Sequence, residues 1–189
     1  MGIPIDGITN QGLAQRLTGF IGEAKVVTYY LDVNGDSRQQ IGGRFRTTTG
    51  MSKREQRFIT QFLDRLDQLT GLSFVKTDSK DTALMDIYSL RNYPNRRIIG
   101  STFFTPNGYD VTWLDRKRGK VARKEGATIK HEILHVLGLD HPYGNGFNSA
   151  YSTRDTIMSY NHRKRFFDAT SSDLDAVVAL WGSDPSLAS

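Results

Sequence analysis

The chain has 189 residues, 38% of them apolar, and Lys plus Arg exceed Asp plus Glu by 25 to 20. That length predicts one domain with enough chain to bury a core, and no apolar run approaches the ~20 residues of a membrane-spanning helix, which excludes an integral membrane protein. With no cysteine, a disulfide scaffold, a thiolate nucleophile, a zinc ribbon and an iron–sulfur site are excluded together.

Residues 1–20 have neither a basic n-region nor an apolar h-region, so no secretory signal peptide is read there. Lys25 to Val33 is β-branched and aromatic and predicts a strand. Asp32, Asn34 and Asp36 follow with the look of a calcium loop, but Gly43 stands where the distal Glu would be needed, so calcium has no clear motif. Ser52 to Leu69 predicts the first helix, with Ser52 and Glu55 as its capping box and Phe58, Ile59, Phe62, Leu63, Leu66 and Leu69 as its apolar stripe. Strand-like runs follow at Leu72 to Lys76, Ala83 to Leu90 and Ile98 to Thr105. Asn107-Gly108 predicts a hairpin turn into Tyr109 to Leu114. A strand, a long helix and a strand imply a crossover, so the first two strands should be parallel neighbours. A second helix is expected from about Glu125 to Leu137 and a third from about Ser172 to Trp181, capped by Ser171 or Ser172 and stopped by Gly182. The fold class is α/β (α+β): a mixed five-stranded sheet with an antiparallel edge strand, two long helices and a small C-terminal lobe.

The chemistry is concentrated in His131-Glu132-Ile133-Leu134-His135-Val136-Leu137-Gly138-Leu139-Asp140-His141-Pro142, which holds three of the four histidines. Residues four apart share one helix face, so His131 and His135 can aim at one point. Gly138 can end the helix in a conformation closed to other residues and let the chain return with His141 as a third ligand. Three imidazoles suit a tetrahedral zinc ion with its fourth position open, and Glu132 sits beside that position. The basic residues form two clusters, Arg116 to Lys124 and His162 to Arg165. They read as a solvated basic face or as affinity for acidic partners. The aromatic and basic interleaving of a single-strand binder is not there, so no specific nucleic acid is expected.

This stretch resembles the long zinc-binding signature of the metzincin metallopeptidases. Asp155-Thr156-Ile157-Met158-Ser159-Tyr160 is similar to the methionine turn of that clan, and Met-Ser-Tyr with Pro142 is similar to its serralysin branch. The resemblance implies one zinc metallopeptidase catalytic domain over 1–189: an N-terminal segment 1–24, an upper lobe 25–140 with the sheet and the active-site helix, and a lower lobe 141–189. It implies an enzyme, a zinc-dependent endopeptidase, with zinc held by His131, His135 and His141 and, at rest, by Tyr160. Glu132 would be the general base and Tyr160 the oxyanion donor, both catalytic, with Met158 as an apolar floor under the imidazoles. The implied partners are protein or peptide substrates and a proteinaceous inhibitor, for a monomer without membrane contact. An extracellular setting is favoured by the resemblance alone.

Substrate would lie extended along the edge strand Ile98 to Thr105, with Asn145, Phe147, Asn148 and Tyr151 as candidate pocket walls. Asp6, between Pro4 and Gly7, is a candidate plug for the open zinc position in a latent form. The alternative function is a binding protein on a metzincin scaffold with little or no proteolytic activity.

Overall fold

The computed structural model describes residues 2–116, 119–163 and 166–184. Lys117, Arg118, Lys164 and Arg165, which belong to the two basic clusters, lie outside the described residues. In chain order the elements are α1 (Gln11–Ile21), β1 (Val26–Leu31), β2 (Arg38–Ile41), β3 (Arg44–Thr47), α2 (Lys53–Leu69), β4 (Ser73–Lys76), β5 (Met85–Leu90), β6 (Gly100–Thr105), β7 (Gly108–Leu114), α3 (Arg123–Val136) and α4 (Ser171–Trp181).

One sheet has the order β4-β1-β5-β7-β6 and is parallel except for β6, which pairs antiparallel with β7 at its edge. The expected parallel pairing of the first two long-range strands is present: Val26 to Tyr29 of β1 face Ser73 to Lys76 of β4. The hairpin into β7 turns one residue earlier than Asn107-Gly108 suggested. Thr105 pairs with Gly108, so Pro106 and Asn107 form the loop and Gly108 is already strand.

Strand alternation sorts the sheet's side chains between two layers. Val27, Tyr29, Leu31, Met85, Ile87, Tyr109, Val111 and Trp113 point to the face covered by α2 and α3. There they join Ile59, Phe62, Leu63 and Leu66 of α2 and Ile129, Ile133 and Val136 of α3 in one buried cluster. The other face carries Tyr88 and Leu90, which pack with Ile41 of β2, Tyr93 and Phe103. The β2–β3 hairpin therefore lies as a second layer over this face. Neither that hairpin nor α1 was expected. Residues of the N-terminal segment pack into the fold: Ala14, Leu17 and Ile21 of α1 belong to the main core, and Thr9 forms a bridge with Leu139 just beyond α3.

Helix starts follow the capping chemistry. Ser52 accepts the Glu55 N–H at 3.2 Å and the Glu55 carboxylate accepts the Ser52 N–H at 2.8 Å, the reciprocal box read from sequence. Thr170, rather than Ser171 or Ser172, caps α4, paired with Asp173. Ser52→Ala should cost about 1 kcal/mol of stability, read as a lowered urea midpoint with an unchanged slope.

Candidate metal centre

α3 carries His131 and His135 one turn apart, and its last turn ends at Gly138, whose φ of 95° suits glycine. A Cβ there would lie 3.0 Å from both Ala14 Cβ and Leu180 Cδ1, so the reversal is packed between α1 and α4. The chain then brings His141 back, and the three imidazoles offer nitrogens that all lie within 4.8 Å of one another.

The outer nitrogens fix the tautomers. His131 Nδ1 is 2.9 Å from the Ile157 carbonyl and His135 Nδ1 is 2.9 Å from the Leu139 carbonyl. A carbonyl can only accept, so each Nδ1 holds the proton and each Nε2 is left with a lone pair. Those two Nε2 atoms face each other at 3.1 Å. Asp140 Oδ1 lies 3.3 Å from His141 Nδ1, and His141 Nε2 is buried with no hydrogen-bond partner. Burial and mutual repulsion hold His131 well below the ordinary histidine value and bring His135 down to about 4; burial also lowers His141. No proton is thus available to sit between the rings. Three inward lone pairs are what a cation would satisfy, and the 3.1 Å spacing is near the ~3.3 Å that Zn–N bonds of ~2.0–2.1 Å give in a tetrahedron. The three histidines can hold a metal ion.

Behind the ligands lies a second set of contacts. Asn10 Nδ2 donates to Asp140 Oδ2 at 2.9 Å, and the Asp140 N–H reaches Ile8 O at 2.7 Å, so the N-terminal segment straps the third histidine's loop. Asp173, fully buried in α4, accepts from Thr156 Oγ1, from the Ile157 N–H at 2.9 Å and from the Thr170 N–H at 2.7 Å. That clamp sets the carbonyl that orients His131. Met158 is fully buried beside it. None of Asn10, Asp140, Thr102 or Asp173 was singled out in the sequence, because their roles depend on chain segments brought together only by folding.

Glu132 is 7% exposed, and its Oε2 accepts from Thr102 Oγ1 of β6 at 3.0 Å. Burial pushes its carboxyl up to about 8. Gly100 makes room for it, since a Cβ there would be 2.7 Å from Glu132 Oε1. Tyr160, 42% exposed, has its ring 4.6 Å from His141 and 5.7 Å from His131. Both residues line a cleft of about 520 Å³, with Ile98, Ile99 and Gly100 on the sheet side and Phe147 and His162 opposite. Of the other wall candidates, Asn145 and Asn148 accept N–H bonds within their own loop and Tyr151 packs on Tyr143. Asp6 is exposed on a 3-10 turn near Tyr143 and is not part of the histidine group.

No family model matches the chain, and no curated protein matches it. Among solved structures it resembles a chain of the "GM1 bound form of the ECX AB5 holotoxin", with a TM-score of 0.53 and 16% identity over 95% of this chain and 86% of that one. Likeness at that identity shows the fold alone, and GM1 binding is a statement about the holotoxin.

This corrects the assignment drawn from the motifs. The fold is shared with a chain described as part of a GM1-bound holotoxin, not as a peptidase, and no family match supplies a metzincin. The metzincin and serralysin assignment is withdrawn. With it go the zinc endopeptidase function, the enzyme class and the hydrolase, protease and metalloprotease descriptors, all of which rested on the resemblance. The physical reason is that the histidine pattern specifies a helix, a reversal and three converging nitrogens. That geometry can hold a metal ion and leaves its use open.

The titration of the rings tests the geometry. In metal-free protein, His135 should titrate near 4 and His131 below the ordinary ~6.5. A pKa lowered by folding means that the unfolded chain takes up the proton first as pH falls. Their contribution therefore destabilises the metal-free fold from about pH 6.5 downward. Ring-proton NMR against pH checks this; midpoints of about 6.5 at both residues would contradict a buried neutral pair.

Proposed function

We propose that this chain is a zinc-dependent binding protein that seats an extended peptide in the cleft beside the three histidines. The observation that carries the reading is the set of inward Nε2 atoms: two at 3.1 Å from each other and the third, on His141, buried and unpartnered. Neutral nitrogen donors in a small tetrahedral arrangement favour zinc among the common divalent ions, with calcium and magnesium preferring oxygen. Zinc supplies Lewis acidity and a coordination position that a carbonyl or carboxylate can fill.

The chain's own groups complete the site. Among the described residues β6 pairs on one side only, with β7, which leaves its outer edge to add a peptide strand. Ile98, Ile99 and Phe147 give the cleft apolar walls for side chains. Glu132, held by Thr102, takes or returns a proton on a ligand group in the cleft. Tyr160 donates a hydrogen bond to the same group and is the fourth metal ligand when the cleft is empty. Both residues stay in this proposal as groups that contact the ligand, without the catalytic roles that the resemblance implied, and a single domain over 1–189 stays with them. Among the described residues no helix is long and apolar enough to cross a membrane.

Metal analysis should find one zinc per chain. His141→Ala should abolish stoichiometric retention, and Asp140→Ala should weaken affinity by about 10–100-fold, because the carboxylate orients the ring rather than binding the ion. A randomised peptide pool should be retained by the zinc-loaded protein and released when zinc is stripped. Equal retention with and without zinc would sink the proposal. Mass spectrometry of the recovered peptides is the second readout: intact termini support a binding role, and new termini would overturn it.

A further inference from the structure

The sheet face away from the histidine centre holds an unexplained set of carboxylates. Asp32, directly after β1, is 1% exposed, and both of its carboxylate oxygens are buried without a hydrogen-bond partner. It lines a cavity of about 580 Å³ together with Asn34, Ser37, Gln40, Asp78 and Asp81. A second cavity, of about 570 Å³, shares Gln40, Lys80 and Asp81 with the first and is lined also by Asp86 and Asp110. Asp86 and Asp110 are direct cross-strand partners, and Asp86 Oδ1 is also buried and unpartnered. Five carboxylates thus face this groove in a protein of net charge +5.

Arg38 and Lys80 also line the Asp32 cavity, but neither forms a hydrogen bond with the Asp32 carboxylate. Lys80 acts on Asp86 and Asp110, and Arg38 lies over the Phe45 ring. An unpaired carboxylate removed from water costs several kcal/mol, and natural structures satisfy such a group with a hydrogen bond, an ion pair or a metal.

We propose that Asp32 is the anchor of a second metal site, which binds a calcium ion in the cavity between the end of β1, the β2–β3 hairpin and the 77–82 turn. The donors lining the cavity include carboxylate, amide and hydroxyl oxygens, the ligand set of a hard cation. Asp32 offers two oxygens from a rigid strand end. Asp78 and Asp81 are exposed on the turn at the rim, where their side chains can move inward. Among the described residues only the histidines form a tight preformed group. Calcium suits a site that the rim carboxylates must close, because its larger shell tolerates irregular geometry and keeps waters, whereas magnesium demands a compact octahedron.

The loop reading of the sequence is thereby revised. Asp36 forms an ion pair with Arg91 and lines a different cavity, with Ser52 and Arg116. The Asp32-Asn34-Asp36 triplet does not converge, and Asp32 instead joins residues about fifty positions away.

The test uses the full chain, zinc-loaded, in buffer passed over a chelating resin. Terbium is added as a luminescent calcium probe; Tyr30, which lines the cavity, sensitises it. Saturable emission should appear and be displaced by calcium at lower concentrations than by magnesium, and calcium should raise the melting temperature. Asp32→Asn should reduce calcium affinity at least tenfold. Should that variant fail to fold, Asp81→Asn at the exposed rim should weaken binding severalfold with its melting temperature in calcium-free buffer unchanged. His131→Ala should leave the calcium response intact, which separates this site from the zinc centre. No saturable calcium binding up to millimolar concentrations, or equal affinity in wild type and both Asp variants, would overturn the proposal.

Discussion

The region between α3, the 138–141 reversal and α4 is organised around three nitrogen lone pairs that point at one another. Left alone, that arrangement is repulsive: the rings are neutral, their outer nitrogens are committed to Ile157 O, Leu139 O and Asp140, and His131 and His135 stand 3.1 Å apart with no proton between them. The surrounding structure must hold it in place. Asp173 fixes the 156–157 turn, the Ile8–Asn10 strap fixes 138–140, and Gly138 allows the reversal between them. The Trp181 indole closes the same region by donating to Leu137 O at 2.8 Å. Each restraint comes from a different part of the chain, so the centre exists only in the assembled fold and cannot be a property of α3 alone.

What could be read from the sequence follows from the range of the interactions involved. The α2 capping box and stripe are local, and they appear as read. The i, i+4 histidines are local as well, and the third follows within one glycine turn. The hairpin β2–β3 was missed although Gly42-Gly43 marks its turn, because the flanking strands contain only Ile41 and Phe45 as large apolar residues. Its stability comes from lying on Tyr88, Leu90 and Phe103, which are distant in sequence. α1 was missed for a related reason: Gly12 and Gly19 weaken its helical pattern, and its apolar face is given meaning only by packing into the main core.

The limit of motif reading lies at a different level. The spacing of His131, His135 and His141 constrains where three nitrogens go, and the structure places them there. The same spacing does not determine what enters the cleft or whether a bond is broken. Those depend on the shape set by Ile98, Phe147 and Tyr160 and on the environment of Glu132. A family resemblance supplies such answers by analogy. At 16% identity, the holotoxin chain supplies only the fold.

The two faces of the sheet solve opposite electrostatic problems. Under α3, burial is compatible with a metal because the ligands are uncharged: desolvation lowers imidazole pKa values, and a neutral imidazole is the form that coordinates. On the hairpin face, burial works against the residues present. Burial and the neighbouring Asp110 push Asp86 up to about 7, since two carboxylates on adjacent strands cannot both shed their protons cheaply. That pair can relieve its repulsion by sharing a proton. Asp32 lies beyond the end of its strand, and among the described residues its carboxylate has no hydrogen-bond partner and no directly paired carboxylate. The hairpin face, with Ile41 fully enclosed over Tyr88 and Leu90, therefore combines apolar contact with a buried carboxylate that has no hydrogen-bond partner. A layer built that way is most stable when something positive is sealed in with it.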